Sequence, residues 1–233
     1  PRRGVRNHPQ TGVILASNTK GPGMKERVEA LRAGLEARGC DGFVSLAPPL
    51  NQYLSGFLGT TSGVVVTAKE ALFLCDFRYT EQAGQQVKDH DIVEVKGRFP
   101  TRVGEKLTEL GVRRAAFEPD YLTVSERMAL QAAFPGELVP AEGIVTTLRM
   151  RKSPEEIEKI RAASELAEGV LADLVADLRA GVTERELAAR FEYEFKRRGA
   201  SGASFDTITL FGSRSSLPHG EPRDKALEPG DIV

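Results

Sequence analysis

FDTITLFGSRSSLPHGEPRDKALEPGDIV, residues 205–233, is the stretch from which the rest of the chain can be read. Thr207-Ile208-Thr209-Leu210 alternates polar and apolar residues, which predicts a short strand. A loop rich in Gly and Ser follows and presents Pro218-His219-Gly220. Pro229-Gly230 marks a turn, and Asp231-Ile232-Val233 reads as the opening of another strand, so a continuation is expected beyond Val233. Proline fixes φ, and glycine lets other groups approach the backbone. A histidine held between them, on a loop bracketed by strands, is well placed for chemistry.

Upstream of this stretch the apolar spacing turns helical. Ser153-Pro154-Glu155-Glu156 is a helix start, with serine at the N-cap, proline at the first helical position and glutamate at the third. Ile157, Ile160, Ala163, Ala167, Val170, Leu174 and Leu178 then mark one face of a long helix that ends at Gly181. Thr183 to Glu186 reads as a second capping box, and Leu187, Phe191 and Phe195 line the next helix. Both helices are apolar on one face only and should lie on a sheet. The short strands at 206–210 and from 231 are too little sheet to cover them, so this second domain reads as incomplete.

Further back, helical and strand-like segments alternate from Met24. Helices are expected from Met24 to Gly39, at Pro48–Phe57, Thr80–Gln86, Thr101–Leu110 and Thr123–Ala133. Strands are expected at 42–46, 63–67, 71–75, 91–96, 114–117 and 138–139. This alternation implies an α/β domain over 24–142 with a largely parallel sheet, followed by a second domain over 143–233. The cationic run Leu148-Arg-Met-Arg-Lys-Ser153 suits a connection between them. Residues 1–23, polar and with one short apolar patch at Val13-Ile14-Leu15, read as a flexible extension.

Composition narrows the classes. The 233 residues are 40% hydrophobic and 28% charged, which is ordinary globular material. No apolar run reaches the roughly 20 residues of a membrane helix. Formal charge is −1, with Arg2, Arg3, Arg6 and Lys20 unopposed by any acid in residues 1–23, so the remainder is net acidic and carries no nucleic-acid footprint. Cys40 and Cys75 each sit beside an expected strand and read as reduced core residues, consistent with the cytoplasm. His8, His90 and His219 stand far apart, and no CxxC, HExxH or phosphate-binding glycine motif occurs. By motif, then, this chain binds no metal.

Three segments together carry a resemblance: LRMRKSPEEIEKIRAASELAEGVL, then GVTERELAARFEYEFKRRGA, then the closing stretch with PHGEP and LEPGDIV. In order and spacing they resemble the metallopeptidases of the pita-bread fold, in the branch of the Xaa-Pro dipeptidases (prolidases) and Xaa-Pro aminopeptidases. NQYLSGF at 51–57 and LCDFRYTEQA at 74–83 resemble motifs of that branch's creatinase-type N-terminal domain. The resemblance implies an α/β creatinase-like domain followed by an incomplete α+β pita-bread catalytic domain, and it covers Met24 to Val233. It implies an enzyme that hydrolyses the bond before proline with two divalent ions (Mn, Co or Zn) bridging a water and polarising the carbonyl. The family's ligands would lie further along the chain. Asp231 belongs to the turn and is not one of them, so the fragment alone is expected to be inactive.

The same resemblance makes His219 the catalytic, substrate-contacting histidine. Arg214 is a candidate fork for a substrate carboxylate, and Phe211 a candidate wall of the proline pocket, with a solvated arginine and a core aromatic as the plainer readings. Asp76, Arg78 and Tyr79 read either as a buried Asp–Arg pair fixing a turn or as groups reaching the active site of a partner in a homodimer. The expected partner molecule is a proline-containing peptide, with neither nucleic acid nor membrane. Two alternatives stay open: a creatinase-like amidinohydrolase, and a metal-free pita-bread module that binds peptides or proteins.

Overall fold

Phe43, Val64, Val66, Phe73 and Cys75 point to one face of a sheet, while Val44, Val65, Leu72 and Leu74 point to the other, and all nine are buried. That is the period-two pattern of strands covered on both sides, where neither face has to be polar. The computed structural model describes residues 23–233. The expected extension over 1–23 lies outside them except for Gly23, the N-cap of the first helix. The described chain divides into two units, one ending at Pro154 and one from Glu155 to Val233.

The first unit holds strands β1 (Gly42–Ser45), β2 (Gly63–Thr67), β3 (Ala71–Cys75), β4 (Asp91–Glu94), β5 (Arg114–Phe117) and β6 (Glu137–Pro140) in one sheet of order β4-β3-β2-β1-β5-β6. The pairs β3–β4, β1–β5 and β5–β6 are parallel. The pairs β1–β2 and β2–β3 are antiparallel, so the sheet is mixed rather than largely parallel. The β2–β3 connection is a tight turn in which Thr67 Oγ1 accepts from the Glu70 amide at 2.9 Å, and such a short link can join only antiparallel strands.

Helices α1 (Met24–Glu36) and α2 (Pro48–Ser55) bring Val28, Leu31, Leu35, Leu50 and Leu54 to the Phe43 face. Helix α3 (Thr80–Gln86) adds Ala83 to the same cluster. Helices α4 (Phe99–Glu109) and α5 (Val124–Ala133) bring Val103, Leu107 and Leu130 to the opposite face. The unit is a helix–sheet–helix sandwich.

The motif NQYLSGF has a structural explanation here. Asn51, fully buried, donates through Nδ2 to Ser62 O and Ser62 Oγ, both at 3.0 Å. Ser55 Oγ donates to Asn51 O at 2.7 Å. Gly56, at φ 81°, ends α2 in the left-handed region, where a side chain would be strained. Phe57 packs against Phe73 and Tyr79, with ring centroids 4.7 and 5.5 Å away.

Helix α6 (Thr146–Met150) was not foreseen, and it ties the connecting segment to the first unit. The carboxylate of Glu118, buried at 4% exposure, accepts from the Val145 and Thr146 amides and from the Thr146 hydroxyl. Ile144 and Val145 join the Phe43-face core. Packing therefore carries the first unit through residues that the sequence reading assigned to the domain beginning at 143.

In the second unit, α7 (Pro154–Ala176) and α8 (Glu184–Arg197) share a small core of Val170, Leu174, Leu187 and Phe211, edged by Leu178, Phe191 and Phe195. The expected apolar face of α7 is buried only in its second half, since Ile157 and Ile160 remain 45% and 54% exposed. The strands expected at 206–210 and from 231 do not form among the described residues. A single antiparallel bridge, Thr183 with Ala226, is the only pairing there. The backbone near Leu210 is instead tied to a side chain, as described next.

Candidate functional site

His219 occupies the third position of a β-turn. The amide of Gly220 donates to Leu217 O at 3.2 Å, which places Pro218 and His219 as the two central residues. Proline presets the φ that the first of these needs. No positive φ is found at His219, so the turn is not of the type II class that demands glycine there. Gly220 has no room for a side chain, because an added Cβ would meet Leu210 Cδ1 at 2.5 Å and Leu217 Cβ at 3.1 Å. The imidazole is exposed, and no hydrogen bond to it is made among the described residues.

The loop that carries this turn begins with a short 3-10 helix, Gly212–Ser216. Gly212 takes φ 58°, and its amide donates to Ile232 O at 2.8 Å. Ser215 Oγ lies 2.9 Å from both Leu210 O and Ile232 O. Asp231 accepts from Lys225 Nζ at 2.9 Å and from the Glu228 amide at 3.0 Å. The lysine and that amide hold the Asp231 carboxyl below the usual carboxylate range. Asp231 is thereby committed to the closing turn, as its place in the GD pair suggested.

A residue that sequence reasoning passed over organises the loop. Glu184, the first residue of α8, is fully buried. Its Oε1 accepts from the Phe211 amide at 2.9 Å, and its Oε2 from the Arg223 amide at 2.9 Å. Arg214 Nε lies 3.0 and 3.2 Å from the two oxygens. Thr209 Oγ1 donates to the Glu184 carbonyl at 2.7 Å. Burial pushes the Glu184 carboxyl up, but the Phe211 and Arg223 amides and the Arg214 guanidinium outweigh it and leave it below the usual range. A signal was present in the sequence: Glu184 falls at i, with Leu187 at i+3 and Ala188 at i+4, on the buried face of its helix.

Two of the three expected site residues take other roles in this structure. Arg214 was a candidate fork for a substrate carboxylate. Its Nε faces Glu184 and its Nη2 donates to Glu221 O at 2.7 Å, so that edge of the guanidinium is already filled. Phe211 was a candidate wall of a proline pocket, yet it is fully buried among Val170, Leu174 and Leu187 and acts as core. Of the three, His219 is the exposed one, while Arg214 keeps about a fifth of its side chain open (19%).

In the first unit, Asp76 and Arg78 pair at 2.6 Å, and Asp76 Oδ1 also accepts from the Arg78 amide at 3.0 Å. The pair fixes the turn into α3, as one reading had it, although the arginine is exposed rather than buried. Tyr79 shares a hydrogen bond with Thr60 at 2.9 Å. Cys40 and Cys75 are free and buried, and burial raises both thiols. No helix is long and apolar enough to cross a membrane among the described residues.

Comparison with known proteins matches both units. Residues 27–151 fit the creatinase/prolidase N-terminal domain, and residues 158–233 fit metallopeptidase family M24. The Xaa-Pro dipeptidase of Pyrococcus furiosus is 33% identical over 216 residues, which cover 90% of this chain and 59% of that protein. Among solved structures, an Xaa-Pro dipeptidase from Bacillus anthracis superimposes with a TM-score of 0.85 at 34% identity, covering 90% of this chain and 59% of that one. An X-Pro aminopeptidase from Thermotoga maritima gives 0.79 at 35% identity, covering 88% and 58%. The chain thus spans about 59% of the length of such relatives. It belongs to the creatinase/prolidase family, as a creatinase/prolidase N-terminal domain followed by part of a metallopeptidase family M24 domain.

Proposed function

We propose that the protein carrying this chain is a metal-dependent Xaa-Pro peptidase, a dipeptidase ahead of an aminopeptidase, that hydrolyses the peptide bond before proline. The observation that carries the reading is the His219 turn. It is an exposed imidazole on a proline-set bend, in a family in which several relatives are named Xaa-Pro dipeptidase or aminopeptidase. An imidazole can donate or accept, so His219 can hold a substrate carbonyl and stabilise charge that develops on it. The proline of the substrate matters because its tertiary amide has no N–H to offer, and recognition must come from shape.

Among the described residues, no group of three or more His, Cys, Asp or Glu could hold a metal ion. These described residues do not furnish a metal centre, and the role we assign to them is contacting and orienting substrate. The buried thiols of Cys40 and Cys75 suit a reducing cytoplasm, and a homodimer is the assembly we propose. The test is a polypeptide that contains this chain and extends to the relatives' full length. It should cleave Xaa-Pro dipeptides in the presence of Mn²⁺ or Co²⁺ and leave creatine untouched. Cleavage of creatine without proline-peptide hydrolysis would contradict the proposal.

A further inference from the structure

We propose that Glu184 is the positioning residue of the His219 turn, a single buried carboxylate that clamps both ends of the loop presenting the imidazole. The proposal deepens the reading above and rests on it for the role of His219. One end of the loop is held through the Phe211 amide on Oε1, and the other through the Arg223 amide on Oε2. Arg214, within the loop, bonds the carboxylate and also reaches Glu221 O at 2.7 Å, two residues past His219. Around this point the α8 backbone pairs with the same strand of loop. The Glu184 amide donates to Lys225 O at 3.0 Å, and the Arg185 amide to Arg223 O at 3.1 Å.

Closing the segment 211–223 at a common point removes most of the conformations a free loop of that length would sample. Two oxygens, two amides and one guanidinium leave the carboxylate fully bonded, so it resists the rotamer changes that would let the loop slide. Pro218 and the space-limited Gly220 then fix the bend locally. The carboxylate does not touch the substrate; it acts through the loop.

The test is hydrogen exchange on this chain, comparing Glu184→Gln with the unsubstituted protein. An amide side chain offers one oxygen where the carboxylate offers two, so one loop end must lose its acceptor. Exchange across 209–223 should quicken at least about tenfold relative to the middle of α7 and α8. Arg214→Met, which removes only one arm, is the milder companion and should give a smaller rise confined to the same segment. Unchanged protection at 209–223 in Glu184→Gln would overturn the proposal, as would a uniform rise over residues 155–233 in both variants.

A second arm uses the polypeptide of full family length, assayed on an Xaa-Pro dipeptide. Glu184→Gln should lower kcat/KM about tenfold or more, and the double variant with His219→Ala should be no slower than His219→Ala alone. Additive losses would make Glu184 merely structural and overturn the proposal. If His219→Ala keeps full activity, the peptidase reading fails, while the exchange arm still judges the clamp.

Discussion

Replacing Phe211 by alanine separates a core role from a pocket role. The ring is fully buried and clusters with Val170, Leu174 and Leu187 in the apolar core of the second unit. Removing it forfeits the transfer free energy of the phenyl group and leaves a cavity, together about 3–5 kcal/mol. Whole domains are stabilised by only about 5–15 kcal/mol, and this core is small, so the loss is a large share of what holds residues 155–233 together. The amide of Phe211 is backbone and keeps its bond to Glu184, so the change isolates the ring. The assay is urea titration followed by hydrogen exchange, reading peptides of the first and second units separately. The second unit should unfold at clearly lower urea while the first is unmoved, and Phe211→Leu should fall between. A loss below about 1 kcal/mol in the second unit would refute the core assignment, because no buried phenyl ring is removed so cheaply.

Gly104→Ala should destabilise the first unit although alanine favours helices by about 1 kcal/mol over glycine. The new Cβ would stand 2.7 Å from the backbone carbonyl of Leu130, which cannot move aside as a side-chain tip could, and 3.1 Å from Ala133 Cβ. Overpacking of about 1–3 kcal/mol should prevail, and a lowered urea midpoint would report it. Acid should weaken the first unit through His90. Burial holds this imidazole below its ordinary value of 6.5, despite the Lys88 carbonyl that its Nδ1–H meets at 2.9 Å, and its Nε2 is buried without a partner among the described residues. The unfolded chain binds the proton more readily, so the contribution of neutral His90 is complete above 6.5 and is lost as pH falls below it. Urea midpoints measured from about pH 8 to about pH 5 should fall less steeply in His90→Asn; identical slopes would dismiss His90 as the cause.

Much of this fold could be read from periodicity alone, because alternation and helical spacing are direct consequences of which face is covered. Strands β2, β3 and β5 and helix α3 run over the residues the sequence indicated. The balance of parallel and antiparallel pairs was less legible, since pairing depends on neighbours distant in sequence. Helix α6 was missed because it depends on the distant Glu118 carboxylate rather than on its own five residues. The second unit misled the strand reading for a related reason. Thr207–Leu210 has the alternation of a strand, but its Thr209 hydroxyl and the following Phe211 amide are bound to Glu184 rather than to a neighbouring strand.

The candidate site was legible in part. Pro218-His219-Gly220 announced its turn through residue types that carry fixed backbone preferences. Arg214 and Phe211 looked like substrate contacts because nothing local reveals that a carboxylate and a core lie behind them. Glu184 was hidden inside a capping-box pattern, where its neighbour Glu186 performs the capping through the Thr183 amide at 2.8 Å.

The most direct measurement is the steady-state hydrolysis of an Xaa-Pro dipeptide by the polypeptide of full family length, with and without His219→Ala. The exposed, turn-held imidazole should matter to the reacting substrate, so kcat/KM should drop about 100-fold or more, in the range of lost general acid–base or charge-stabilising groups, while the urea midpoint of the second unit stays put. An unchanged kcat/KM in a folded His219→Ala protein would contradict the account.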